Sequence, residues 1–101
     1  MSYTEDFEGI KVNVQAAHIT ISDNLQQSIR KMLLRLRRRF SELACAEVYF
    51  TKNNGYSKAH RTVSIRLRIP GNDAFASDSG DNWLALIKCV EGKLSRQLKQ
   101  I

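Results

Sequence analysis

Six cationic side chains lie close together in residues 30–39. They are Arg30, Lys31, Arg35, Arg37, Arg38 and Arg39. The segment contains no acidic residue, so no carboxylate within it can pair with a cation one helical turn away. Arginine and lysine are the side chains that contact phosphate oxygens, and the segment therefore predicts a surface for a polyanion. The alternative is a solvated face that only aids solubility.

A second group of cations lies near the C-terminus. It comprises Lys88, Lys93, Arg96 and Lys99, and Glu91 is the only acidic residue after Trp83. The whole chain carries a formal net charge of +6 and has a pI near 9.7. A domain this basic favours nucleic acid as its partner, with an anionic membrane as the second choice.

Both cationic groups belong to segments with the periodicity of an amphipathic helix. In residues 22–43 apolar side chains recur every three or four positions, and Ser22 is placed to cap the first turn. A second helix is predicted from Trp83 to near the C-terminus, with Asp81 or Asn82 as its cap. Its apolar positions are Trp83, Ile87, Val90, Leu94, Leu98 and Ile101.

Three residues of this second helix have predicted packing roles. Trp83 and Cys89 lie among apolar residues and are predicted to be core residues, Trp83 in preference to a stacking platform for a base. Gly92 costs about 1 kcal/mol relative to alanine inside a helix, and it predicts a close approach to a neighbouring sheet.

Four segments alternate between apolar and polar residues, as half-buried strands do. They cover residues 10–16, 46–52, 62–69 and 74–77, with turns predicted at Asn54-Gly55 and from Pro70 to Asp73. The order β-α-β-β-β-α predicts an α+β fold in two layers, a four-stranded, mainly antiparallel sheet with both helices on one face. Arg66 and Arg68 would then lie on the open face of the sheet.

The chain of 101 residues is expected to form one domain. Residues 1–9 contain Glu5, Asp6 and Glu8, no cation and no periodicity, and are predicted to be a flexible N-terminal tail. Residues 10–101 are predicted to be the single folded domain.

The residue types that hold metals or carry out catalysis are scattered. Cys45, Cys89, His18 and His60 lie singly along the chain, without the spacing of a zinc site. The sequence shows no paired carboxylates, no nucleophile beside a base and no glycine-rich phosphate loop. We therefore predict no enzyme, no metal, no cofactor and no small-molecule substrate. With no signal peptide and no membrane span in the sequence, a cytoplasmic protein with no membrane partner is expected.

Several segments, taken in order, resemble the ribosome hibernation promoting factor family, also called the ribosome-associated inhibitor or sigma-54 modulation family. They are the first strand followed by HITISDNL, the helical residues 35–38, the hairpin at 69–71, the strand at 75–77 and the closing residues 93–98. The resemblance extends over roughly residues 10–99 and depends on order and spacing.

The resemblance implies that residues 10–101 form a ribosome-binding domain for the decoding channel of the small subunit. There it would occupy the mRNA and tRNA sites and inhibit translation in stationary or stressed cells. The implied partners are the small subunit and its rRNA, and the chain is expected to be monomeric off the ribosome. By position, the family's basic residues fall on Arg35, Arg38, Lys93 and Arg96.

The second helix departs from the family pattern at three places. It begins Asn82-Trp83-Leu84 where related chains often have an acidic-aromatic pair, and Lys88 stands where they often have an acid. A basic residue expected seven positions after Lys93 is replaced by Gln100, with Lys99 one place earlier. We predict that all ten cations of the two helices bind RNA. The alternatives are a free-standing double-stranded-RNA-binding domain and a sigma-factor regulator.

Overall fold

The computed structural model describes residues 2–17, 19–53 and 60–99. They form β1 (Ser2–Phe7), β2 (Ile10–Ala16), α1 (Asp23–Arg39), β3 (Cys45–Asn53), β4 (His60–Ile69), β5 (Asn72–Gly80) and α2 (Trp83–Lys99). His18 and the turn predicted at Asn54-Gly55 lie outside the described residues.

The five strands form one sheet in the order β1-β2-β3-β4-β5. Strands β2 and β3 are parallel because α1 connects them as a crossover, and the other neighbouring pairs are antiparallel. The predicted α+β fold is confirmed. The predicted number of four strands is wrong, and the sheet is mixed.

The additional strand, β1, lies in the segment predicted to be an N-terminal tail. It pairs with β2 from Ser2 to Phe7 across the two-residue turn Glu8-Gly9. Both turn residues have positive φ, 50° and 86°, as a type I′ hairpin turn requires. Positive φ is uncommon for glutamate, so the sequence gives little sign of this turn. Glu5 also interrupts the apolar alternation of Tyr3 and Phe7, which hides the strand periodicity.

One hydrophobic core joins the sheet to both helices. Each strand from β2 to β5 has a buried residue at the same register position, and these residues mark the covered face of the sheet. They are Val12, Ala46, Leu67 and Ala74. Buried residues of α1 and α2 belong to the same cluster, which confirms that both helices cover one face. The helical members are Leu25, Ile29, Met32, Leu33, Leu36, Leu86, Ile87, Val90, Leu94 and Leu98.

The helix caps are close to those predicted. The Ser22 hydroxyl accepts a hydrogen bond from the Leu25 backbone N–H at 3.2 Å, and Asn82 Oδ1 accepts from the N–H groups of Leu84 and Ala85 at 3.0 and 3.2 Å. Helix α1 ends at Arg39 rather than in the predicted residues 40–43.

The packing roles predicted for α2 are confirmed at one of three positions. Trp83 is half-buried and packs edge-on against Phe50, with the ring centroids 5.2 Å apart. Cys89 is exposed because the buried stripe of α2 runs through Leu86 and Val90, so its prediction as a core residue is wrong. A Cβ added to Gly92 would meet no described atom within 4 Å beyond its chain neighbours and the backbone of its own helix, so the predicted close approach to the sheet is also wrong.

Side chains of α2 cap the outer edge of β5. Gln97 bonds both backbone groups of Phe75, since its Oε1 accepts from the N–H at 3.1 Å and its Nε2 donates to the carbonyl at 2.6 Å. Lys93 Nζ donates to the Ser77 carbonyl at 3.0 Å. These contacts fix the orientation of α2 along the edge strand.

Candidate nucleic-acid interface

The cations of α1 point in three directions because successive residues of a helix are rotated by about 100°. Arg30 and Arg37 face the β1-β2 hairpin, whereas Arg35 and Arg39 face α2. Lys31 and Arg38 lie on the side opposite the buried stripe and are exposed. The six cations predicted as one surface are therefore divided.

On the hairpin side, acidic residues neutralise two of the cations. Arg30 makes two hydrogen bonds to the Glu5 carboxylate, at 3.2 and 3.0 Å, and its guanidinium lies 6.0 Å from the centroid of the Phe7 ring. The bond to Glu5 raises the pKa of Arg30. Arg37 donates to the backbone carbonyl of Glu8 and lies 3.8 Å from its carboxylate. Arg30 and Arg37 thus hold the hairpin against α1.

On the opposite side, α1 is bridged directly to α2. Arg35 makes two hydrogen bonds to the Glu91 carboxylate, at 2.9 and 2.6 Å, and Arg39 donates to Ser95 Oγ at 3.0 Å. The bond to Glu91 raises the pKa of Arg35. Each bridge joins residues 56 positions apart, so the two helices run parallel and in constant register.

The cations of α2 are divided as well. Lys93 faces β5, where its ammonium bonds the Ser77 carbonyl and lies 3.6 Å from the Asp78 carboxylate. Arg96 donates to the carbonyl of Gly92 in its own helix at 3.3 Å, and no carboxylate among the described residues pairs with it. Lys88 and Lys99 are exposed.

Six of the predicted residues make up a surface that we call the cationic helix face. All six are exposed, and none has a carboxylate partner among the described residues. They are Lys31, Arg38, Arg39, Lys88, Arg96 and Lys99. The other four predicted cations, Arg30, Arg35, Arg37 and Lys93, are ion-paired within the chain. Contact of any of the ten with RNA stays a prediction.

Sequence reasoning missed the acidic partners. Glu5 and Glu8 belong to the N-terminal segment, and Glu91 is the only acid of α2. The sequence did contain a signal, since acids gathered at one end of a basic chain are complementary to a cationic run elsewhere. Recognising the pairs requires the hairpin turn and the helix register, which come from the fold.

The open face of the sheet carries Arg66 and Arg68, as predicted, and both are exposed. Arg68 is paired with Glu47 at 3.1 Å, and the Arg66 guanidinium lies 5.8 Å from the centroid of the Phe75 ring. The positive charge of this face is therefore partly compensated. It makes a suitable control surface for binding experiments.

Two other kinds of feature, a metal site and a membrane-spanning helix, are not found among the described residues. No group of three or more His, Cys, Asp or Glu side chains there is arranged to hold a metal ion. Within the same ranges, neither helix has the length and apolar character needed to cross a membrane.

The Arg30–Glu5 pair makes a testable contribution to stability. Glu5→Gln should lower the free energy of unfolding, because it weakens an ion pair made of two hydrogen bonds, in which the side chains of Arg30 and Glu5 are 29% and 22% exposed. The matched control is Asp6→Asn on the same strand, an exposed carboxylate without an ion-pair partner among the described residues. Urea unfolding at neutral pH measures both. Equal shifts for the two variants would mean that only net charge matters.

The chain is similar in sequence to a known protein family and to curated members of known name. The family model for sigma 54 modulation protein / S30EA ribosomal protein matches residues 12–101. A curated relative from Pseudomonas putida, named ribosome hibernation promoting factor, is 25% identical over 91 residues, which cover 90% of this chain and 85% of the relative. A relative of the same name from Acinetobacter guillouiae is 22% identical over 95 residues, covering 88% and 84% respectively.

Two solved structures have the same fold. A ribosomal subunit interface protein from Coxiella burnetii superimposes with a TM-score of 0.77 at 20% identity, covering 88% of this chain and 93% of the other. The N-terminal domain of Protein Y from Thermus thermophilus gives a TM-score of 0.75 at 19% identity, with 91% and 97% covered. With the family match over nearly the whole length, these findings place the chain in the sigma 54 modulation protein / S30EA ribosomal protein family.

Proposed function

We propose that this protein binds the small ribosomal subunit through the cationic helix face, in the channel that mRNA and tRNA occupy. Bound there, it inhibits translation in stationary or stressed cells. The observation that carries the proposal is the set of six exposed cations without described carboxylate partners on two parallel, adjacent helices. The relatives named ribosome hibernation promoting factor support the ribosome as the target.

The chemistry favours recognition of folded RNA by shape. Lysine and arginine contact phosphate oxygens without reading the base sequence, and double-stranded regions are recognised mainly through their backbone. The proposed mechanism is occupancy of the channel, with no covalent step and no cofactor. The function therefore depends on affinity and on steric overlap with mRNA and tRNA.

Sedimentation with purified subunits tests the proposal. The protein should sediment with the small subunit, and prior loading of mRNA and tRNA should exclude it. Sedimentation of a cell extract separates the alternatives, because a general RNA binder would spread over other RNA fractions and a sigma-factor regulator would appear in neither. Binding that mRNA and tRNA do not reduce would overturn the assignment to the decoding channel.

The salt dependence of binding provides a quantitative prediction. If the six cations of the face each neutralise one phosphate, the log of the binding constant should fall against log salt with a slope of about −5. Anisotropy or sedimentation over a range of potassium concentrations measures the slope. A slope shallower than about −2 is incompatible with a cationic contact surface of this size.

A further inference from the structure

A groove lies between the N-terminal halves of the parallel helices α1 and α2. The bridges Arg35–Glu91 and Arg39–Ser95 close the space between the C-terminal halves. Before the first bridge the helices leave an opening of about 290 Å³, lined by Ser28, Lys31, Arg35, Leu84, Ile87 and Lys88. The groove adjoins the cationic helix face, since Lys31 and Lys88 belong to both.

The walls of the groove combine positive charge with an exposed apolar side chain. Lys31 stands on the α1 side and Lys88 on the α2 side, and neither has an ion-pair partner among the described residues. Leu84 is 43% exposed. Phe75 is the only other exposed large hydrophobic residue in the described ranges, and a guanidinium lies over its ring. Leu84 is therefore apolar surface that the fold leaves uncovered.

This combination restricts the ligand. Two ammonium groups favour a phosphate, while Leu84 favours a flat or apolar group next to it. A nucleotide has both parts at neighbouring positions. The volume is at the lower end for ligand sites, which suits one nucleotide. A base inside a duplex is stacked and paired and cannot enter a groove of this kind, whereas an unpaired base can.

We propose that the groove binds one unpaired ribonucleotide of the RNA that docks on the cationic helix face. Its phosphate lies between Lys31 and Lys88, and its base lies against Leu84. The inference rests on the proposed function and adds to it a preference for RNA with an accessible unpaired base. It also gives a role to Lys88 and Leu84, two of the positions where the sequence departs from the family pattern.

Leu84→Ala tests the groove without changing charge. The probes are a short uridine oligonucleotide, an abasic ribose-phosphate oligomer of the same length, and a blunt RNA duplex. The variant should bind the uridine oligonucleotide about fivefold more weakly than wild type. Its affinities for the abasic oligomer and for the duplex should stay within about twofold of the wild-type values. Phe75→Ala, which removes the other exposed large hydrophobic side chain, is the matched control and should change none of the three affinities.

Lys88→Gln provides the second arm of the experiment. It should weaken binding of the uridine and abasic oligomers alike and reduce the salt slope by about one unit, because it removes a phosphate contact. Unchanged binding of the uridine oligonucleotide by Leu84→Ala, or an equal loss with all three probes, overturns the groove assignment. If the wild-type protein binds small subunits with a steep salt slope but Leu84→Ala changes no affinity, the groove assignment is wrong and the proposed function is retained. If the wild-type protein binds no small subunit, the proposed function itself is wrong.

Discussion

Neutralising Lys31 and Arg38 together should weaken binding to the small subunit by about fiftyfold at about 0.1 M salt. The expected factor follows from losing two phosphate contacts, each of which releases close to one counterion. Both side chains are exposed and neither has a carboxylate partner among the described residues, so glutamine at these positions should leave the fold intact. Neutralising Arg96 and Lys99 on α2 should have a similar effect, since the parallel helices present one surface.

The matched control is the double variant Arg66→Gln with Arg68→Gln. It also removes two positive charges, but from the open face of the sheet, which points away from both helices. Its affinity should stay within about threefold of wild type, and its inhibition of cell-free translation should be nearly complete. Circular dichroism verifies that each variant is folded. If the sheet-face variant is the one that loses inhibition, the binding surface lies on the opposite side of the domain.

Leu36→Ala should destabilise the protein by about 2–5 kcal/mol, a large share of the stability of a small domain. Leu36 is only 2% exposed and lies in the buried stripe of α1, so truncation leaves a cavity between the helix and the sheet. Thermal and urea unfolding, monitored by circular dichroism, give the change in free energy.

Arg38→Ala is the comparison for Leu36→Ala, two residues away on the same helix. Because Arg38 is exposed and has cationic neighbours, its removal should change stability by less than about 0.5 kcal/mol or increase it. Equal destabilisation by both substitutions would show that the cationic helix face is packed against the protein. In that case it would not be available to a partner.

The helices and the central strands could be predicted because their patterns are local. Strand β2 matches its predicted residues, and Ser22 and Asn82 cap the helices as the sequence indicates. Strand β1 could not be predicted because its turn places Glu8 at positive φ and its inner face includes Glu5. The prediction for Cys89 failed because apolar neighbours in sequence do not show which side of the helix faces the sheet. The prediction for Gly92 failed because the low helix propensity of glycine does not by itself require a close neighbour.

The sequence predicts which residues belong to the candidate site but not which of them are paired with carboxylates. The ten cations were identified from the sequence, but the four that are neutralised depend on contacts between distant segments. Arg35 illustrates the difficulty, because the family resemblance and the helical pattern both favour it as an RNA contact, whereas the structure pairs it with Glu91 across the helix interface. Such pairs are set by tertiary register, which periodicity does not determine.

The capping of β5 by Gln97 also affects how copies of this chain can associate. A sheet that extends from one molecule to the next needs two available edges on each copy, and exposed edges are common starting points of fibrils. Gln97 already makes the bonds to Phe75 that a strand of another copy would make. Lys93 likewise occupies the Ser77 carbonyl. A strand of another copy would have to displace both side chains to pair along β5, which disfavours growth of a sheet from copy to copy.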